Sequence, residues 1–585
     1  MLKKFEFNLN QKNFFLSIFV ISFFLPNFDL TIRADHFAVY IFLLISFFYI
    51  FLGSFNLKIA TIFVKNNNFI VIELFLFILV IICLFLSTIN FIFTPDLFEP
   101  LLKNKINILS ALAVLDNYLL NISIFVLCFF FFYKDTDEIF NYFAHLIIIL
   151  LCINSVYSLF EIIVVNLDEN CSVFRNSKQS VFCTIIAAID VSYSNPSFSS
   201  AILDYIERSN HSFQVKKELL HVGTNSTSIG WISLTAGRSQ GIFNMPIEGA
   251  VINAGGLLLL FILFFLDKKN KLEKISESKK KYYCFAFFLL LLSSILCVSK
   301  ITSHFTLPAA LFLILLNRKE LKFIISSKYF KFSAAVFFLV LILLVNLNWK
   351  GYNHYYNHAL RYLIILCDVT KTTCKFPAEI IDSKESIAAN EVGNLAKKID
   401  FEKIFLETKT ILPNHNKIFQ AYLDKKKNMI ESETNKESFV DKNYSKSFYE
   451  NILVYLNYLS GGRHGSIDPF SITILKQTGS ILGYGVLIQE SFDQMKNYLV
   501  FYSGQLSYYL YLIFEIIPFY LFILYKKKFK NTPIKIILIF IFSLYLLASL
   551  GGPIYFMNRV SVIYFAALVY FLLKLKIIKN SKSNV

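Results

Sequence analysis

The sequence predicts an all-α polytopic membrane protein, and three observations carry that prediction. Hydrophobic residues make up 56% of the 585-residue chain and charged ones only 17%, with a mean hydropathy of +0.57. Apolar runs of roughly 20 residues, the length that crosses a bilayer, recur along the chain. Lysines and arginines gather between those runs, in every second connection. In a soluble chain a net charge of +17 would suggest nucleic acid. Here the positive-inside rule accounts for the same lysines first, and no nucleic-acid partner is expected.

About twelve runs are long enough to span, near 13–28, 36–54, 69–90, 107–132, 139–165, 248–266, 282–298, 302–316, 324–346, 505–525, 533–550 and 553–575. The first, apolar from Phe14 to Leu25, lacks a small-residue cleavage site and reads as an uncleaved span. Lys3, Lys4 and Lys12 lead it, and Lys58 and Lys65 lie between the second and third runs. Lys268, Lys269, Lys271, Lys274 and Lys279–Lys281 separate the sixth from the seventh, and Arg318, Lys319 and Lys322 follow the eighth. Lys526–Lys528 and Lys530 follow the tenth, and Lys574, Lys576, Lys579 and Lys582 close the chain. The alternation puts these loops and both termini in the cytoplasm and the other loops outside. Three regions follow: 1–346 with nine spans and an external loop at about 166–247, a large external loop at 347–504, and 505–585 with the last three spans and a cytoplasmic tail.

The second external loop carries helical patterning. Ala388, Val392, Leu395, Ile399, Ile404 and Phe405 repeat at helical spacing. A second helix is expected over Ser445–Leu459, stopped by Gly461-Gly462, and a third after Asp468-Pro469. The lysine-rich piece around Lys425–Lys436 reads as a solvated surface. Cys171 and Cys183 share one external loop and Cys367 and Cys374 the other, so either pair could form a local disulfide in an oxidising compartment. Cys83, Cys128, Cys152, Cys284 and Cys297 sit in or beside spans and read as inert core residues. His354 and His358 stand four apart without a third ligand, and no metal site is expected.

Ahead of the sixth run lies Gly237-Arg-Ser-Gln-Gly-Ile-Phe-Asn-Met-Pro-Ile-Glu-Gly249. Gly241, Pro246 and Gly249 punctuate it, which predicts a shaped loop over the whole stretch and no helix interior. Arg238 in such a loop is placed to hold an anion, with phosphate the natural candidate. Lys300, at a hairpin tip, and Arg463, between two loop helices, fall on the same external side. Together they suggest a cationic cradle for a diphosphate, where guanidinium contacts and a point-charge ammonium offset charge developing on a leaving group. The alternative is interfacial cations snorkelling to water. Arg559, inside the last span near its external end, is a functional candidate by its depth or half of an ion pair with Glu515 or Glu248. Asp116, Glu161 and Glu73 within spans carry similar readings: catalysis, or cytoplasm-side snorkelling or buried pairing. If a hydroxyl is the acceptor, a base is needed, and His464 and Asp493 are the candidates.

The run Arg238-x-x-Gly241-x-x-x-x-Pro246-x-x-Gly249 opening a span resembles the corresponding loop of the O-antigen polymerase and O-antigen ligase family. Ser460-Gly-Gly462-Arg463, a helix, Gly483-Tyr-Gly485 and then a span are similar to the family's later pattern. Ser299-Lys300 resembles the family's Ser-Arg at an external hairpin tip, with lysine substituted. The layout, with a large external loop between the ninth and tenth spans, matches over most of the chain. Motif agreement is confined to about 237–256, 299–300 and 459–512.

The resemblance implies a glycosyl transfer that needs no metal or cofactor, at the periplasmic face of a bacterial inner membrane. The donor would be a glycan on undecaprenyl diphosphate and the acceptor another glycan, with a chain-length regulator as a further partner. Arg238 and Arg463 would grip the diphosphate, with Lys300 as a helper; Arg559, singled out by its depth, is a further candidate for binding it. Where ligases of the family carry His-Asn before the tenth span, this chain reads Ser503-Gly-Gln-Leu-Ser-Tyr-Tyr-Leu510. Gln505 and Ser507 are the nearest equivalents, and neither is a strong base. A polymerase is therefore expected before a ligase or protein oligosaccharyltransferase. A lipid-linked oligosaccharide flippase would more naturally show internal repeats and short external loops.

Overall fold

The computed structural model describes residues 9–24, 68–93, 108–132, 136–167, 237–239, 241–243, 246–270, 276–352, 481–483, 502–525, 532–549 and 558–580, with isolated positions between them. Every element among the described residues is helical, with no strand. In chain order these are α1 (Leu9–Phe24), α2 (Asn68–Phe93), α3 (Ile108–Phe132), α4 (Thr136–Leu167), α5 (Pro246–Asn270) and α6 (Glu277–Leu296). A π-turn, Thr302–Thr306, leads into α7 (Leu307–Leu316), followed by α8 (Arg318–Ile325) and α9 (Lys328–Asn346). The chain closes with α10 (Gln505–Leu524), α11 (Thr532–Ser549) and α12 (Asn558–Asn580).

Among the described residues, five stretches are long and apolar enough to cross a membrane: Ile72–Phe93, Thr136–Leu167, Pro246–Lys268, Lys328–Asn346 and Gln505–Leu524. Tyr118–Phe132, Thr302–Leu316 and Pro533–Ser549 are shorter apolar helices. This is the composition of a helical membrane protein, in which each helix satisfies its own backbone. Of the run expected over 36–54, only isolated positions are described.

Helix α5 is the axis of the bundle. Its apolar window is wholly buried, and it packs against α4, α6, α11 and α12. Two glycines permit that crowding. A Cβ on Gly256 would stand 2.4 Å from the Leu151 Cδ1 of α4, and one on Gly255 would meet the Ile563 Cγ2 of α12 at 3.3 Å. Small residues let helices approach where lipid supplies no hydrophobic drive. The Asn253 amide donates to Ser293 Oγ at 2.9 Å and ties α5 to α6.

Local sequence sets the breaks between helices. The run expected over 324–346 is divided, because Ser327 caps α9 by accepting from the Phe330 amide at 3.2 Å. Ile324 and Ile325 belong instead to α8. Pro246 and Gly249 also depart from expectation, since both lie in the first turn of α5 and not in a loop. Proline at the first helical position loses no hydrogen bond, because that amide has no intrahelical partner. The loop character is therefore confined to Gly237–Phe243 among the described residues.

Helices α4 and α6 run opposite to α5 and α12, and the bundle has two distinct ends. At one, Asp267 at the close of α5 accepts from Tyr283 at 2.7 Å and pairs with Lys279 of α6 at 2.5 Å. Asp137 at the start of α4 likewise takes Tyr570 at 3.0 Å and Lys574 at 2.5 Å, both from α12. The Lys268–Glu320 pair, 3.0 Å apart, joins α5 to α8. The opposite end gathers the close of α1, α4, α6 and α9 with the starts of α5 and α12, and it holds the Arg238 turn.

Candidate functional site

The turn that carries Arg238 begins at Gly237 and reverses again at Gly241, with φ values of +81° and +62°. Glycine adopts that left-handed backbone without the Cβ clash other residues suffer. Space forbids a side chain as well: a Cβ on Gly237 would meet the Gly351 amide nitrogen at 2.4 Å, and one on Gly241 the Asn154 Oδ1 at 2.4 Å.

Five partners hold this turn: two from α4 and one each from the end of α6, the segment after α9, and α12. Glu161 Oε2 of α4 accepts from Ser239 Oγ at 2.6 Å and from the Gly241 amide at 3.0 Å. Two turns earlier on the same helix, Asn154 Oδ1 accepts from the Ile242 amide at 2.8 Å. The Ser239 amide donates to the Leu296 carbonyl that ends α6, at 2.8 Å. Trp349 Nε1 donates to the Gly237 carbonyl at 2.7 Å. Finally, one terminal nitrogen of Arg559 donates to the Ile242 carbonyl at 2.9 Å, while its Nε donates to the Phe23 carbonyl in α1 at 2.5 Å.

The Trp349 and Leu296 partners are delivered by the way their helices stop. Asn348 adopts φ +54° after α9, and the Trp349 amide reaches back to the Leu344 carbonyl at 3.0 Å. This left-handed C-terminal cap turns the indole toward Gly237. Val298 adopts φ +45° after α6, a conformation a β-branched residue takes only under constraint. It redirects the chain into Ser299-Lys300, within about one helical turn of Leu296, and the π-turn follows from Thr302. The Ser239–Leu296 bond thus brings the Arg238 turn and the Lys300 tip into one structural unit. π-Turns interrupt helices mostly at functional positions, and here His304 Nδ1 lies 2.7 Å from the Lys300 carbonyl.

Tyr355, just beyond α9, packs its ring 6.4 Å from that of Trp349 and donates to the Ile295 carbonyl at 2.7 Å. Burial pushes its phenol well above the ordinary tyrosine value, and the positive charge of Arg238 opposes that rise. Arg238, half-buried, therefore lies within electrostatic reach of this ring.

The Gly483–Gly485 motif has a second, separate setting beside α2. The Gly483 amide donates to Ser87 Oγ at 2.8 Å and the Val486 amide to Thr88 Oγ1 at 3.2 Å. The Gly485 amide donates to the Tyr502 carbonyl at 3.0 Å, and Ser503 shares a 3.0 Å hydrogen bond with Tyr118 of α3. Non-helical backbone at this depth needs such protein partners, because lipid offers none.

The structure assembles Arg238, Gly241, Pro246, Gly249, Lys300 and Arg559 at one end of the bundle. Arg559 is 1% exposed and directs two of its donors to backbone carbonyls, an arrangement that braces the turn. Glu248 is buried in the first turn of α5 and Glu515 accepts from Tyr511 within α10 at 2.5 Å. Ser507 is buried on α10, whereas Gln505 is exposed. Glu73 is fully buried near the start of α2, toward the opposite end. Gly462, Arg463, His464, Asp493, His354, His358 and the four loop cysteines lie outside the described residues, as do the expected loop helices and the side chain of Asp116. Among the described residues no group of three His, Cys, Asp or Glu side chains could hold a metal ion.

Sequence reasoning missed Asn154, Ser239 and Trp349, and it left Glu161 without a role. One signal was available: Asn154, Ser158 and Glu161 recur at helical spacing inside an otherwise apolar run, which marks a polar face within a span. Models of known protein families, curated proteins and solved structures were compared with the chain, and none matches.

Proposed function

We propose that this protein is a membrane glycosyltransferase of the O-antigen polymerase type, moving a growing glycan from one polyprenyl diphosphate carrier to the next carrier-linked repeat unit. The observation that carries the reading is the Ser239–Leu296 hydrogen bond of 2.8 Å. It links a braced arginine turn to a lysine-bearing hairpin tip, a guanidinium and an ammonium in one frame. Fixed cations of this kind favour a diphosphate that gains charge as it departs. In the proposed reaction an acceptor hydroxyl attacks the anomeric carbon from the side opposite the diphosphate. The new C–O bond forms as the bond from the anomeric carbon to the diphosphate oxygen breaks, and the electron pair leaves with the diphosphate. The hydroxyl proton passes to a base for which His464 and Asp493 are the candidates, and the anomeric configuration inverts.

The reading includes about twelve spans, cytoplasmic termini and an active site on the periplasmic side of a bacterial inner membrane. It is supported by the lysines at the end of the bundle opposite Arg238, as the positive-inside rule requires. It also includes Arg463 as a second phosphate-gripping arginine. Arg238→Ala and Arg463→Ala, at normal expression, are expected to collapse the surface-polysaccharide ladder on a gel to single repeat units. An unchanged ladder overturns the cradle. In a gene disruption, single repeat units on the acceptor core support polymerase, whereas accumulation of long carrier-linked chains supports ligase instead.

A further inference from the structure

Among the partners of the Arg238 turn, Glu161 differs in kind. Trp349, Asn154 and Arg559 hold main-chain groups at its two edges, Gly237 and Ile242. Glu161 reaches the middle: a single carboxylate oxygen takes the Ser239 hydroxyl at 2.6 Å and the Gly241 amide at 3.0 Å. The Gly241 amide also lies 3.2 Å from Ser239 Oγ, so Glu161, Ser239 and Gly241 close one compact hydrogen-bonded set. Glu161 and Ser239 are both fully buried, and hydrogen bonds to a charged acceptor are the short, strong ones. Glu161 and Arg238 also act electrostatically on the same buried thiol, that of Cys297, which puts both charges around the close of α6.

A carboxylate here is otherwise a liability. It is costly to bury in a bundle, and its negative charge opposes an arriving anion. A site that only collected positive charge would have no use for it.

We infer that Glu161 is the positioning residue of the Arg238 turn: it holds Ser239 and Gly241 together, so that the guanidinium meets a diphosphate in one conformation. The binding role rests on the diphosphate reading above, whereas control of the turn does not. Glutamine keeps a carbonyl oxygen where Oε2 stands, and alanine keeps none. The two substitutions therefore separate geometry from charge.

Two measurements on the full chain in nanodiscs test the inference. In an Arg238→Cys variant, the rate of maleimide modification at position 238, read by peptide mass spectrometry, reports the turn directly. Adding Glu161→Ala is expected to raise that rate about fivefold or more by freeing the turn, and adding Glu161→Gln to leave it within about twofold. Equal rates in all three backgrounds overturn control of the turn. With Arg238 in place, farnesyl diphosphate is the binding probe. Glu161→Ala is expected to weaken its affinity about tenfold in protein that still unfolds cooperatively, with Glu161→Gln near wild type and Ser239→Ala between them. Tighter binding by Glu161→Gln would mean that Glu161 acts only as an opposing charge, and the inference would fall. Lower thermal stability with unchanged affinity would leave a structural brace and also overturn it. If Arg238→Ala binds the probe as well as wild type, the diphosphate reading itself fails, whatever the labelling rates show.

Discussion

The indole nitrogen of Trp349 donates to the Gly237 carbonyl at 2.7 Å, across 112 residues of chain. Trp349 is 4% exposed, so water cannot replace it at that carbonyl. Trp349→Phe keeps most of the packing and removes the donor. An unsatisfied buried carbonyl costs about 1–3 kcal/mol. The variant is expected to unfold earlier by that margin in detergent, with a shortened polysaccharide ladder, because the same bond sets the start of the Arg238 turn.

Arg559 offers a harsher version of the same test. Arg559→Lys preserves the charge and loses the planar fork, so one ammonium must replace two divergent donors. The Phe23 and Ile242 carbonyls cannot both be served. Each hydrogen bond to a charged donor is worth about 1.5–3 kcal/mol, and the expected result is a lowered melting temperature with lost polymer. Full polymer length in Arg559→Lys would show that the brace is dispensable.

Gly485 and Gly504 predict a second cluster of sensitive positions. They adopt φ +72° and +90°, and added Cβ atoms would meet the Thr88 Cα at 2.4 Å and the Ile481 carbonyl oxygen at 2.1 Å. Alanine at either is expected to cost more than about 1 kcal/mol, since left-handed backbone and a backbone clash act together. Chemical unfolding of the purified variants measures it, and an unchanged midpoint would contradict the docking of this segment on α2.

Arg238→Lys separates charge from geometry at the turn itself. Lysine supplies a point charge in place of a bidentate fork. Shortened chains are expected, intermediate between wild type and Arg238→Ala on the same gel. By contrast, Glu320→Gln breaks the exposed Lys268–Glu320 pair at the far end. It is expected to change stability by less than about 1 kcal/mol and to leave the ladder intact.

The helices were legible because a span must be apolar over its whole length, and that is a one-dimensional property. Runs expected at 139–165 and 505–525 appear as Thr136–Leu167 and Gln505–Leu524. The turn was legible from Gly237 and Gly241, although Pro246 and Gly249 were read as loop when they begin a helix. Its bracing was not legible. Glu161 and Ser239 are 78 positions apart, and Arg559 and Phe23 are 536 apart. No spacing rule joins such pairs; only the packing of α4, α6 and α12 around α5 brings them within reach.

Arg559 joins a carbonyl in the first described helix to one in the turn before α5. A ribosome releases that arginine only after the eleven other described helices. The turn must therefore wait, incompletely held, through most of synthesis. A chain cut short before α12 would carry every other group that grips Arg238 and still lack the tie to α1. Synthesis of α12 thus becomes a condition for fixing the Arg238 turn, and the order of the chain makes the Arg559 tie the last of these contacts to form.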